Sequence, residues 1–256
     1  LGDAHEETAM SEFFHQYFNF HVMGSHFSEV LHAFFLNLLV FAVAAALALT
    51  WGLVLALLRQ LPGRKSIPLR GVTIAYIDVF RAIPLLIIIL VISGSLPYLE
   101  FLPKDIRIPE WFGEPDPFWY GALALTLVYG AYMAEVYRAG IEAIPRGQIE
   151  AARSLGMSHG QAMRHVVVPQ AITKIPAPML NELISLLKDT TLVGVIALGE
   201  ASLIGREILA ETLNSSALML GGLMFLVITL PAARLVDLLI RRTQSKITRG
   251  AHIEVA

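Results

Sequence analysis

The chain of 256 residues contains no cysteine, which excludes disulfides, thiolate metal sites and cysteine nucleophiles and leaves the redox compartment open. Charge is scarce too. Only 16% of residues are charged against 55% in the hydrophobic set, so the chain lacks the polar surface that an ordinary soluble domain needs. The formal net charge of -2 points to neither an acidic nor a basic partner. No G-x-x-x-x-G-K-[ST] loop, H-E-x-x-H pair or G-x-S-x-G elbow occurs, so the sequence offers neither a nucleotide-binding loop of that type nor these hydrolase signatures. The opening LGDAHEETAMSEFFHQYF has no Lys or Arg, and no small-residue cleavage site follows an apolar core, so it does not read as a secretory signal. His5, His15, His21, His26 and His32 match no compact ligand spacing and read as a solvated segment, not a metal site.

What is present is a set of long apolar runs. A helix needs roughly 20 apolar residues to cross a hydrocarbon core of about 30 Å while satisfying its own backbone hydrogen bonds. Residues 31–58 and 212–234 meet this directly. Residues 118–138 are marginal in length, with Glu135 and Arg138 placed to end them at the interface and Trp119 and Tyr120 suited to an aromatic belt. Residues 70–97 carry Asp78 and Arg81 early, then an uninterrupted apolar run. Residues 183–203 hold Lys188 and Asp189 near their centre, at a cost of about 2.5–3.5 kcal/mol per charge on insertion scales. Charge distribution restores this fifth candidate: with five crossings, alternate loops hold 14 and 3 of the 19 Lys and Arg residues. That asymmetry predicts an outside N-terminus and a cytoplasmic C-terminus. The expectation is an all-α polytopic membrane protein with about five transmembrane helices. It comprises an extracytoplasmic segment 1–30, a transmembrane domain 31–240 and a basic cytoplasmic tail 241–256. Met10, Phe13, Phe14, Tyr17 and Phe18 recur at helical spacing, so segment 1–30 reads as an interfacial amphipathic helix.

The long cytoplasmic connection has internal order. Pro145 suits a helix start, residues 148–155 are rich in helix formers, and Gly156 suits a left-handed stop. Ser158 and Gln161 have the spacing of a capping box, opening a second helix with Ala162, Met163, Val166 and Val167 on its apolar face; Pro169 is expected to end it. The product is a helix, a tight turn and a helix tethered between spans, a setting that excludes reading it as a DNA-binding helix-turn-helix.

The segment EAARSLGMSHGQAMRHVVVPQAI resembles the EAA loop of ATP-binding-cassette importer permeases: Glu150, Ala151, Ala152, Gly156 and Pro169 match, and Val168 stands where Leu is usual. AYMAEVYRAGIEAIPRGQ, NELISLLKDTTLVGVIALGE and YIDVFRAIPLL are similar to the polar amino acid branch (histidine, glutamine, arginine and glutamate types). Asp78 departs from the Glu usual there, and Ala82-Ile83 from Gly-Thr. The resemblance implies an importer subunit of the bacterial cytoplasmic (inner) membrane that moves polar amino acids inward by alternating access. Its coupling loop, 145–170, would contact cytoplasmic ATPases through Gln148, Glu150, Ala151, Ala152, Arg153, Leu155 and Gly156. It further implies a second permease chain and an external solute-binding protein as partners. ATP and Mg would bind the partner ATPase, with no cofactor on this chain and no nucleic acid partner.

Ionisable residues inside a membrane mark either pathways or bracing pairs. Arg81, Glu182, Lys188, Asp189 and Thr190 are the candidate pathway residues, with Asp78 expected to neutralise Arg81 from the same helical face. Lys188 and Asp189 are adjacent and able to pair. The competing function classes are an ATP-independent secondary transporter, which would need an internal repeat that is not evident here, and a membrane docking subunit.

Overall fold

The computed structural model describes residues 2–61, 63–99 and 116–253, and every regular element among them is helical. In chain order the α-helices are α1 Gly2–Tyr17, α2 Phe20–Ser25, α3 Phe27–Arg59, α4 Ile67–Ala82, α5 Leu85–Ser95 and α6 Asp116–Glu142. They continue with α7 Arg146–Ser154, α8 His159–Ala162, α9 Val168–Lys174, α10 Pro176–Asp189, α11 Ala201–Thr212 and α12 Ser216–Ile253. Among the described residues α3 and the Ser216–Arg241 part of α12 are each long and apolar enough to cross a membrane, and Arg64–Ala82 with Leu85–Tyr98 qualify only as a pair. The 27-residue α6 covers the expected 118–138 but is less apolar, being interrupted by Tyr129, Tyr132 and Glu135. Most of the expected loop 97–117 lies outside the described residues. The tail does not leave the helix at 241, since α12 continues to Ile253.

Two expected spans are not continuous. The 70–97 run breaks at Ile83, which is extended at φ -86°, ψ 132° because the ring of Pro84 disfavours helical geometry in the residue before it. The 183–203 run, expected as one crossing helix, is corrected to three pieces. After α10 ends at Asp189, Thr190–Ile196 forms a 3-10 helix, Ala197 turns left-handed at φ 65°, and α11 starts after Glu200. The reason is local: the hydroxyls of Thr190 and Thr191 donate to the carbonyls of Leu187 and Lys188 at 2.7 and 2.8 Å, which competes with continuation of the ladder. Glu200 then holds a new helix start.

The chain divides into two compact units, Leu1–Ala44, Pro84–Leu125 and Leu186–Leu230 in one, and Ala45–Ile83, Thr126–Ser185 and Pro231–Ala256 in the other. In the first, Val30, Ala33 and Phe34 of α3 pack with Ala201 and Ile208 of α11 and Ala217 of α12, joined by Met224 and Phe225. The approach is close: a Cβ on Gly205 would lie 2.9 Å from the Leu218 Cα. In the second, Leu55 of α3, Ile77 of α4 and Ala131 and Ala134 of α6 form a core bordered by Trp51, Tyr76 and Phe80. The Trp51 indole donates to the Tyr76 hydroxyl at 2.9 Å, and that hydroxyl donates to the Leu127 carbonyl at 2.9 Å. Small residues let backbones meet here, as in other membrane bundles where packing, not water exclusion, holds helices together.

Candidate functional site

The hairpin 145–170 lies within the second unit. Pro145 precedes α7, whose buried side is Ala152 with Ile149 half-buried, and whose exposed side carries Gln148, Glu150, Ala151 and Arg153. Its end is a Schellman motif. Met157 N–H donates to the Ala152 carbonyl at 3.2 Å and Gly156 N–H to the Arg153 carbonyl at 3.0 Å, with Gly156 at φ 86°. A left-handed glycine is required because a Cβ there would collide with its own backbone, although open space surrounds it. Leu155, immediately before it, is 82% exposed, unusual for a large apolar side chain. The expected capping box is present: Ser158 N–H donates to Gln161 Oε1 at 2.8 Å, and Gln161 N–H to Ser158 Oγ at 3.3 Å.

Pro169 does not end the second helix, contrary to expectation. Between α8 and α9, Met163–Val167 forms a π turn, and Val168 N–H reaches back to the Met163 carbonyl. The wider turn absorbs the missing Pro169 donor and the bulk of its ring, so the chain stays helical to Lys174. Gln148, on the exposed side of α7, also accepts a hydrogen bond from Gln170 of α9, which ties the two arms of the hairpin.

Above the hairpin in the same unit, α6 carries a charge node centred on Glu135, only 16% exposed. Its carboxylate accepts from Arg59 of α3 and from Arg138 Nε and Nη2 at 2.8 and 2.6 Å. Arg81 of α4 lies 4.0 Å from the same carboxylate, with its guanidinium 5.6 Å from the Tyr132 ring centroid. The anionic partner of Arg81 in the fold is thus Glu135, brought in from another helix, where Asp78 was the expectation. Arg81 is the most exposed of the three arginines, at 41%, and Glu182 of α10 is half-buried in the same unit.

In the other unit, Lys188 is exposed at the end of α10, Asp189 is half-buried, and Thr190 is fully buried. The Thr190 hydroxyl donates to the Leu187 carbonyl and accepts from Asn37 Nδ2 at 3.0 Å. Asn37 also donates to Glu200 Oε2 at 3.1 Å, and its Oδ1 accepts from Ala201 N–H at 3.0 Å. Glu200 accepts from Ser202 and Leu203 N–H, both at 2.9 Å. Asn37, Thr190 and Glu200 all have zero exposure. Neither this network nor the Glu135 node is evident from hydropathy. An uncharged Asn inside an apolar run, and a Glu directly preceding Ala-Ser at a helix start, were the available signals.

A helical membrane-embedded subunit with a hairpin capped at its turn is the class that this geometry defines. The sequence profile described as "binding-protein-dependent transport system inner membrane component" matches residues 48–245, and the chain belongs to that family. Among its relatives, a probable glutamine ABC transporter permease protein, GlnM of Bacillus subtilis, is 32% identical over 88% of this chain and 98% of its own length. The glutamate/aspartate import permease protein GltK of Escherichia coli is 33% identical over 84% of this chain and 93% of its own. Among solved structures, an amino acid ABC transporter crystallised with histidines superposes with a TM-score of 0.74 at 32% identity, covering 86% of this chain and 96% of that one. The protein is the membrane permease subunit of an ATP-binding-cassette importer.

Proposed function

We propose that the chain imports polar amino acids as half of a pair of permease subunits, driven by two cytoplasmic ATPases that bind ATP and Mg and supplied by an external solute-binding protein. Five crossings near 31–58, 70–97, 118–138, 183–203 and 212–234 put the N-terminus outside and the C-terminus in the cytoplasm, the 183–203 crossing being a broken one. The observation that carries the reading is the hairpin. Its turn is closed by a Schellman motif on one side and a capping box on the other, and it presents Gln148, Glu150, Ala151, Arg153 and Leu155 outward. A turn held at both ends can pass a rigid-body push from an ATPase cleft to the attached spans. Glu150 supplies the polar contact, Leu155 an apolar knob, Ala152 the seat of α7, and Gly156 the turn.

The glutamine and glutamate/aspartate transporters among the relatives support the substrate class. Arg81, the least engaged arginine of the Glu135 node, is assigned to a substrate carboxylate and Glu182 to an ammonium. Lys188 and Asp189 are assigned separately to the pathway. Thr190 is assigned to bracing.

The test is uptake and ATP hydrolysis in proteoliposomes containing the complete transporter. Glu150→Ala or Gly156→Val should leave membrane insertion intact and uncouple hydrolysis from uptake, the second because a β-branched residue in left-handed geometry costs more than the roughly 1–2 kcal/mol of an ordinary side chain. Wild-type transport by both variants removes the coupling assignment. Gradient-driven uptake by this chain without an ATPase would favour a secondary transporter.

A further inference from the structure

We propose that α1 is a lipid-seated helix whose aromatic face enters the outer headgroup boundary of the bilayer, independently of anionic lipid. At 100° per residue, Met10, Phe13, Phe14 and Tyr17 fall within one face about 100° wide, while Ser11, Glu12, His15 and Gln16 occupy the rest. All four apolar residues are exposed, as is Phe20 at 82%. Their rings engage chiefly one another: Phe13 stacks on Tyr17 at 4.9 Å between centroids, and Phe14 lies 5.8 Å from Phe18.

The end of this helix is fixed at a defined level. The His15 carbonyl accepts from Asn214 Nδ2 at 2.9 Å, and the Gln16 carbonyl from Ser215 N–H at 3.0 Å. Gln16 Nε2 donates to the Leu213 carbonyl at 3.0 Å, and Asn19 N–H to Ser216 Oγ at 2.8 Å. These bonds tie α1 to the link between α11 and α12, directly before the membrane-length stretch Ser216–Arg241, and the other membrane-length helix begins at Phe27. Two spans therefore start where α1 ends.

Continuity selects lipid as the occupant. Within the same unit the exposed aromatic face adjoins the ends of helices whose own exposed side chains are apolar, with Phe35 and Leu39 on α3 and Leu223, Leu226, Val227 and Leu230 on α12. Phe and Tyr on one face with polar groups on the other suit the boundary between headgroups and acyl chains. Residues 1–58 hold no Lys or Arg, so this stretch adds no Lys or Arg to attract anionic headgroups, and burial of the rings supplies the driving force.

The absence of native cysteine makes the test direct. Single cysteines replacing Phe14, Tyr17, Ser11 or Glu12, labelled with bimane in the complete transporter, are reconstituted in phosphatidylcholine vesicles with and without phosphatidylglycerol. Quenching is measured with a shallow doxyl-labelled lipid and with aqueous iodide. The doxyl lipid should quench the probes at 14 and 17 several-fold more than those at 11 and 12, iodide should show the reverse order, and neither should respond to phosphatidylglycerol. Equal iodide quenching on both faces would place the helix in water and overturn the proposal. Shielding of positions 14 and 17 from both quenchers, whether constitutive or on adding the solute-binding protein, would reveal a protein partner and overturn it as well.

Discussion

Replacing Asn37 with leucine keeps the volume of the side chain and removes every hydrogen bond of the buried Asn37, Thr190 and Glu200 network that passes through it. The losses are unequal. Thr190 keeps its bond to the Leu187 carbonyl, and Glu200 keeps the N–H groups of Ser202 and Leu203. The Ala201 N–H, however, is left without its acceptor at the first turn of α11, where no carbonyl of the helix can replace it. An orphaned buried donor costs about 1–3 kcal/mol, and a lost bond to a carboxylate about 1.5–3 kcal/mol. Double-mutant cycles in membranes average only about 0.6 kcal/mol per bond, because a chain unfolded within lipid finds other partners. Three bonds at the lower rate and the two main losses at the higher bracket an expected destabilisation of about 2–6 kcal/mol. For a chain of this size that corresponds to a fall of roughly 5–25 °C in the melting temperature. Thermal unfolding of the purified transporter in detergent reads it. A midpoint within a degree of wild type would refute the idea that these bonds hold the broken segment between α10 and α11 to α3.

Gly52→Ala should destabilise the second unit by about 1–3 kcal/mol, as overpacked cores do, measurable in the same melt. The new Cβ would lie 2.5 Å from the Met133 Cβ, 2.9 Å from the Gly130 carbonyl oxygen and 3.0 Å from the Ala134 nitrogen, and backbone atoms cannot rotate away; an unchanged midpoint would contradict that packing. Glu135→Gln removes the carboxylate that Arg59, Arg81 and Arg138 share, while Arg138 keeps its ion pair with Glu142. Because these arginines are partly exposed, the loss should fall between that of a surface pair and a buried one, about 1–3 kcal/mol, and should shrink in high salt. A melt insensitive to both the substitution and the salt would argue against the node.

The parts of the fold legible in the sequence are those set by neighbours along the chain. The apolar run 31–58 lies inside α3, and all of the expected 212–234 after its first four residues lies inside α12. Gly156 and the Ser158 and Gln161 pair are local signals that need nothing distant, and all three take the conformations their types favour. What escaped depends on partners far away in sequence or on compensation between adjacent defects. Arg81 meets Glu135 on α6, and no periodicity within α4 distinguishes that carboxylate from Asp78. The apolar content of 183–203 hides the threonine hydroxyls that unwind it, and Pro169 reads as a stop because a π turn leaves no compositional mark. The bond between Thr190 and Asn37 joins positions 153 apart, which no local pattern marks.

No free residue separates the Schellman motif that ends α7, whose last member is Met157, from the Ser158 cap of α8. A joint without play behaves like a stiff elbow instead of a string, and stiffness works in both directions. Whatever tilts the attached helices should be felt at Glu150 and Leu155, so under the proposed coupling cargo would have a mechanical route by which to hasten or stall the motor.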